Sequence, residues 1–454
     1  MKIIKYFKKN WFFCFLFLVV VIIFFVLRFH NIRIYNTWWA DDGGGHIQYE
    51  QTILQSHRLP TPVETYLSWH EPGFYFLLAG WVGVGQRLGF TSIDWWASLN
   101  IVVNLFFLVV ICFLSYFYLE IKNQWLALLN VFIFSILFVS VKLSAYVNNE
   151  LLNQTLILLL IFLFYRWRLL APQKNKMVLF WSLILGLALL IKLTSFIVLA
   201  AALIIWLVEL IRQKKKFLFY YLAICLVVVG TLNFPWLFYK NQHFGQTFSI
   251  NLYETLPKQN VITSEAWHYF FNFNYHFVID RPYWFSLPHS YWTVLISDTF
   301  GDYYNLFNNV DRINALPDNQ KILIDNGRFT TPQLWGTLLW TNRVGLVVYL
   351  IWLVGLIGWL IGWWRQKKYQ PYIIFLLLAL FGGWAALLFN NLRLPYLERG
   401  VLKAHFIYFT FPILTLLSYA WWFKAIKNKW LLILITVGPF LAYLIIAWPM
   451  LFMQ

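Results

Sequence analysis

Charged residues are scarce in this sequence: they make up 12% of its 454 residues, about half the share usual in a soluble protein. Hydrophobic residues make up 61%, and the mean hydropathy is +0.64. A single water-soluble core of this size cannot bury so much apolar surface, so the composition excludes a soluble protein. The apolar residues fall in repeated long runs, which predicts an all-α polytopic membrane protein.

Cysteine is also scarce, and Cys14, Cys112 and Cys225 each lie inside an apolar run. This pattern excludes a disulfide framework, a metal site built on cysteine pairs and a redox motif. The sequence also lacks a glycine-rich phosphate loop, a nucleotide-binding fingerprint and an internal repeat. A nucleotide-sugar site is therefore not indicated.

The net charge of +17 is explained by membrane topology. With eleven spans, the basic clusters between them all face the cytoplasm, as the positive-inside rule requires, and the outer side is close to neutral. No nucleic-acid partner is needed to explain the excess of Lys and Arg. The candidate spans lie near residues 11–27, 97–118, 125–143, 149–165, 177–192, 194–211, 217–236, 343–364, 371–389, 403–423 and 430–450.

Two sizeable loops face outward in this topology. The first covers about residues 28–96 and includes a weaker apolar run, Gly73–Val84, which we expect to be interfacial or re-entrant. The chain then divides into an N-terminal transmembrane core (1–236), a large outer loop (237–342) and C-terminal transmembrane helices (343–454). We expect a multi-pass plasma-membrane protein with its N-terminus in the cytoplasm and its C-terminus outside.

The first outer loop contains an unusual acidic pair, Asp41 and Asp42, followed by three glycines and His46. If a helix begins near Asp42, then Asp42, His46 and Glu50 share one helix face. Such a face suits a general base with a contact to a divalent cation or a phosphate. Ordinary N-capping by Asp42 is the alternative interpretation.

Three further polar groups are expected on the outer side, the first within the first outer loop and the other two at the outer ends of spans. His70 and Glu71 precede Pro72, where they either line a cleft or cap a helix. Glu150 follows two asparagines, in a turn that is either functional or a simple hairpin. Lys192 interrupts an apolar stretch, which makes it a candidate for binding an anionic lipid headgroup or else a snorkelling lysine.

In the large outer loop, the mixture of Asp, Tyr and Trp around Asp298 suits carbohydrate binding through aromatic stacking and carboxylate contacts to hydroxyl groups. A loop folded on its own aromatic residues explains the same composition equally well.

These segments, in this order, resemble the GT-C fold of glycosyltransferases that use polyprenyl-phosphate-linked sugars, especially the protein O-mannosyltransferase and aminoarabinose-transferase relatives. The second acid is Asp42 where Glu is commoner, and Glu71-Pro72-Gly73 replaces the usual double proline. The segments that carry the resemblance are Asp41-Asp42 with His46, Arg58–Pro60, His70–Tyr75, Asn148–Glu150, Gly186–Ser195 with Lys192, Pro235–Gly245 and, more weakly, Arg399–Pro412.

The resemblance implies transfer of a sugar from a polyprenyl-phosphate carrier to an acceptor hydroxyl on a protein, lipid or glycan, with inversion at the anomeric carbon. Asp41 would be the general base. Lys192, and with less support Arg399, would stabilise the leaving phosphate. Asp42 and His46 would position the acceptor or hold a divalent cation. His70, Glu71 and Glu150 would line the donor and acceptor cleft.

Two other classes of protein fit part of the pattern. An O-antigen ligase or polymerase also has a large outer loop, but it relies on outer Arg and His clusters rather than an acidic pair. A transporter or lipid-sugar flippase also has many spans, but such proteins usually show internal repeats and charges at the membrane midplane. The sequence favours the glycosyltransferase.

The expected topology is tested by replacing Gly44, next to the acidic pair, with cysteine after Cys14, Cys112 and Cys225 have been changed to Ser or Ala. A membrane-impermeant thiol reagent should label Gly44→Cys in intact cells, because this position faces outward. Labelling that requires permeabilised cells would invert the topology.

Overall fold

The structure is a computed structural model and describes residues 10–34, 43–90, 93–117, 123–245, 271, 273, 280, 291–301, 316–325, 328–366, 370–393 and 404–452. Its helices α1 to α16 are Trp11–Ile34, Gly43–Ser56, Gly73–Arg87, Ile93–Phe117, Gln124–Ile136, Phe138–Ala145, Glu150–Arg166, Asn175–Ile191, Phe196–Gln213, Phe217–Phe244, Tyr291–Phe300, Pro332–Arg365, Pro371–Arg393, Thr410–Ala425, Lys429–Thr436 and Gly438–Leu451. Two short antiparallel strands, β1 (Ile322–Asp325) and β2 (Arg328–Thr330), precede α12.

The expected all-α polytopic architecture is confirmed. Within the described residues, seven helices are long and apolar enough to cross a bilayer, or eight if the bent pair α5–α6 forms one span. The expected number of eleven is not confirmed, because α7, α8 and α14 have only 16 or 17 residues. The seven are Trp11–Arg33, Trp95–Phe117, Leu193–Gln213, Phe217–Phe244, Pro332–Arg365, Pro371–Phe389 and Lys429–Leu451.

The helices that flank the large outer region extend into it. Helix α10 continues to Phe244, and α12 begins at Pro332, where the Thr331 hydroxyl caps it by accepting from the Leu334 amide. Their bounds therefore differ from the apolar runs that end at 236 and begin at 343. The division of the chain into three segments stays a prediction.

Two helices of the first outer loop, α2 and α3, pack side by side and run in the same direction. His46 near the start of α2 contacts Tyr75 near the start of α3, and Leu54 further along contacts Gly83. At 15 residues, or about 22 Å, α3 is shorter than a membrane span requires. This length agrees with the expected interfacial or re-entrant helix.

A break in the backbone separates α8 from α9. Lys192 is extended, and a short 3-10 turn, Leu193–Ser195, leads into α9. The first turn of α7 holds this break in place: the Asn149 side-chain amide donates to the carbonyl of Ile191 over 3.2 Å, and the Ser195 hydroxyl donates to Asn153 over 2.6 Å. Backbone groups freed by a break need such partners within a bilayer.

Helix α11 is almost wholly buried, and Asp298 on it accepts two hydrogen bonds. The Lys142 ammonium group donates to one oxygen over 2.7 Å, and the backbone amide of Ala404 donates to the other, also over 2.7 Å. Both side chains of the ion pair are almost inaccessible. This carboxylate therefore joins α6, α11 and the turn before α14. Residues 281–290 and 302–315 on either side lie outside the described residues, so carbohydrate binding by this region stays a prediction.

Asp298→Ala should lower the free energy of unfolding by about 3–5 kcal/mol, because it leaves the Lys142 charge unpaired in an apolar interior. Unfolding of the purified protein in detergent measures the change. The double variant Lys142→Met/Asp298→Leu should recover most of the loss, since it removes both charges. A double variant as unstable as the single one would contradict the ion-pair explanation.

Candidate functional site

The parallel pair α2–α3 brings two histidines and a tyrosine together at its N-terminal end. His46 Nδ1 lies 2.8 Å from the Tyr75 hydroxyl, and His70 Nδ1 lies 3.4 Å from the same oxygen. One hydroxyl proton can serve only one ring, so the other ring must donate its own N–H to the tyrosine oxygen. Tyr49 stacks on Tyr75 with ring centroids 3.7 Å apart, which fixes the tyrosine in place.

Glu71 pairs with a lysine from α10. Lys240 Nζ lies 3.6 Å from Glu71 Oε1, and the lysine side chain is only 1% exposed, between the rings of Trp69 and Trp236. Burial raises the pKa of Glu71, and the nearby Lys240 opposes that rise. The α3 helix begins after Pro72 with no side-chain cap, so Glu71 forms an ion pair rather than the capping contact that the sequence left open.

Glu150 pairs with Lys192 at the break between α8 and α9. The Lys192 ammonium group donates to Glu150 Oε1 and also lies 4.8 Å from the centroid of the Phe406 ring. Its side chain remains 19% exposed, against 6% for Glu150. The lysine is therefore held within the protein by a defined partner, which argues against simple snorkelling.

These groups form one site, which we define as His46, His70, Glu71, Tyr75, Glu150, Lys192 and Lys240. Gly73 makes the close approach possible: a Cβ at this position would lie 2.7 Å from the carbonyl oxygen of Leu190, two residues before Lys192. Burial holds the pKa of His70 well below its usual range, and the charges of His46, Lys192 and Lys240 lower it further. His70 is therefore neutral at pH 7.

Positive charge and helix N-termini converge in the site. Two lysines reach it, and the N-termini of α2, α3 and α7 all lie there, each helix being at least 14 residues long. Helix N-termini present free N–H groups and a partial positive charge. Within the described residues, Lys192 pairs with Glu150 and Lys240 pairs with Glu71.

Three residues expected in the site lie outside the described residues: Asp41, Asp42 and Arg399. Their expected roles stay predictions, as does the divalent cation on Asp42 and His46. In the part of the chain that the structure describes, no three His, Cys, Asp or Glu side chains lie close enough to hold a metal ion. Helix α2 begins at Gly43, immediately after Asp42 in the sequence.

The sequence analysis missed two residues of the site. Tyr75 belongs to the segment His70–Tyr75, which carries part of the family resemblance, but no role was assigned to it. Lys240 is the first charged residue after Lys216 in a long apolar helix, and an isolated charge of this kind usually marks a functional position in a membrane protein. That signal was present but was not used.

Comparison with solved structures identifies the fold. The oligosaccharyltransferase of Archaeoglobus fulgidus, solved with a tethered acceptor peptide, matches with a TM-score of 0.58 and 14% identity over 99% of this chain and 56% of that one. The same protein in complex with an inhibitory peptide and a dolichol-phosphate matches with a TM-score of 0.54 and 14% identity, over 99% of this chain and 56% of that one. ArnT from Cupriavidus metallidurans bound to undecaprenyl phosphate matches with a TM-score of 0.38 and 13% identity, over 94% of this chain and 78% of that one.

This chain is therefore a membrane protein with the GT-C fold, as the sequence resemblance implied. It spans little more than half the length of the archaeal oligosaccharyltransferase. Neither the protein-family models nor the curated sequences give a match.

Glu50 lies one turn after His46 on α2, and burial raises the pKa of its carboxyl group to about 7. Neither of its oxygens is hydrogen-bonded within the described structure. Its usual pKa is 4.5, so between pH 4.5 and 7 the folded protein binds a proton that the unfolded chain has released. The stability of the folded state therefore falls as the pH rises through this range.

Glu50→Gln should be more stable than the wild type by about 3 kcal/mol at pH 8, because the variant has no buried carboxylate to ionise and each unit of the rise in pKa is worth about 1.4 kcal/mol. The two proteins should unfold alike below pH 4.5, where the carboxyl group is protonated in both states. Unfolding in detergent across this pH range measures the difference. A stability difference independent of pH would show that Glu50 does not titrate in this way.

Proposed function

We propose that this protein is a membrane glycosyltransferase that transfers a sugar from a polyprenyl-phosphate carrier to an acceptor hydroxyl at the outer face. The observation that carries the proposal is the convergence of Lys192, Lys240 and three helix N-termini in one buried site. Such a site suits a phosphate at the membrane surface. The related fold of an oligosaccharyltransferase solved with dolichol-phosphate supports a lipid-linked donor.

The proposed reaction is a single displacement with inversion. The acceptor oxygen attacks the anomeric carbon as the bond from that carbon to the phosphate oxygen breaks, and the electron pair leaves with the lipid phosphate. Asp41 takes the acceptor proton. Lys192 stabilises the leaving phosphate, with Arg399 as a second cation. Neutral His70 and Tyr75 line the acceptor side through their hydrogen-bonding groups.

The orientation of the protein follows from the same proposal. A donor made in the cytoplasm reaches an outer site only after its lipid has been moved across the membrane, and the protein itself needs no nucleotide site. The acceptor is a hydroxyl group of a protein, lipid or glycan on the outer side of the plasma membrane. The N-terminus would then lie in the cytoplasm and the C-terminus outside.

Asp41→Asn should lower the rate of transfer about 10²–10⁴-fold, because the amide cannot accept the proton of the acceptor. The assay follows a labelled hexose from a short-chain polyprenyl phosphate into a membrane extract that contains protein, lipid and glycan acceptors. Binding of the donor should be unchanged.

Glu64→Gln is the matched control, because Glu64 is a partly exposed acid of the same outer loop that pairs with Arg58. It should retain wild-type activity. Near-normal transfer by Asp41→Asn would remove this residue as the base. Movement of the lipid across vesicles without transfer to any acceptor would favour a flippase.

A further inference from the structure

We propose that Asn148 and Glu150 together bind a hydroxyl group of the donor sugar. The inference rests on the proposed function, because it assumes that the phosphate of the donor binds at Lys192. Both residues are at least 95% buried, and each side chain has one polar atom in use and one without a partner within the described structure.

The atoms in use fix the two side chains. Asn148 Oδ1 accepts from the backbone amide of Glu150 over 2.9 Å and from that of Leu151 over 3.4 Å, so it caps α7. Glu150 Oε1 accepts from Lys192. Because one half of each group is held, the direction of the other half is set before any ligand arrives.

The atoms left over are a donor and an acceptor. Asn148 Nδ2 and Glu150 Oε2 are buried without hydrogen bonds, and buried groups of this kind are costly unless something satisfies them. They lie two residues apart on one turn, beside the partly exposed Lys192. A sugar bonded to a phosphate at Lys192 lies next to this turn.

A hydroxyl group is the ligand that satisfies both atoms. It donates its proton to Glu150 Oε2 and accepts from Asn148 Nδ2. A phosphate oxygen only accepts, so it would suit the asparagine but be repelled by the glutamate. An ammonium group only donates, so it would suit the glutamate but oppose the asparagine. The pair therefore recognises a neutral sugar rather than its phosphate.

The test compares two probes that carry the same lipid phosphate: a short-chain polyprenyl phosphate alone, and the same lipid linked to glucose, mannose or galactose, whichever binds best. The ratio is the dissociation constant of the phosphate alone divided by that of the sugar-linked lipid. It isolates the contribution of the sugar to binding. The two single variants are isosteric. Asn148→Asp keeps the capping oxygen and replaces the amide donor with an acceptor, and Glu150→Gln exchanges the charged pair of oxygens for an amide.

Each single variant should reduce the ratio about tenfold, because a hydrogen bond to the sugar is lost. The double variant Asn148→Asp/Glu150→Gln has one donor, one acceptor and the wild-type net charge, so it should restore most of the ratio. The two single variants change the charge of the site in opposite directions, so a reduced ratio in both cannot be an effect of charge alone.

Lys192→Met separates this inference from the proposed function, since it should weaken both probes alike. If the wild type binds neither probe, the proposed function fails and the inference fails with it. If both probes bind and the single variants leave the ratio unchanged, only the inference is overturned. Changes of opposite sign in the ratio for Asn148→Asp and Glu150→Gln would also overturn it, by assigning the effect to charge alone.

Discussion

The break in the backbone at Lys192 is the constraint on which the site depends. A chain that leaves helical geometry inside a bilayer must find partners for its freed N–H and C=O groups. Here Asn149 supplies one partner by donating to the carbonyl of Ile191, and Asn153 holds the break through the side chains of Thr194 and Ser195. Because those contacts fix α7 against the break, Glu150 meets Lys192 directly. The polar site is therefore part of what makes the break stable.

Charge balance follows from the same arrangement. Lys192 and Lys240 each have a glutamate partner, since a lone charge in an apolar interior is far more costly than a paired one. A phosphate would compete with the glutamates for the two lysines, and the helix N-termini favour the phosphate because they act on any negative charge placed there.

Much of the fold could be predicted from the sequence, because apolar runs directly report burial in a bilayer. Lys192 and Glu150 also stood out, since an ionisable residue near a span is expensive. Their ion pair could not be predicted from the sequence, because the two residues are 42 positions apart and only tertiary packing brings them together. The ion pair of Asp298 could not be predicted for the same reason: its partner Lys142 lies 156 residues earlier in the chain.

The parallel packing of α2 and α3 has an energetic consequence for the free protein. Two helices side by side in the same direction place their macrodipoles in a mutually repulsive arrangement, whereas antiparallel neighbours attract. An anion at the shared N-terminal end would interact favourably with both dipoles at once and so offset this repulsion. If the proposed phosphate binds there, part of its affinity would come from this interaction.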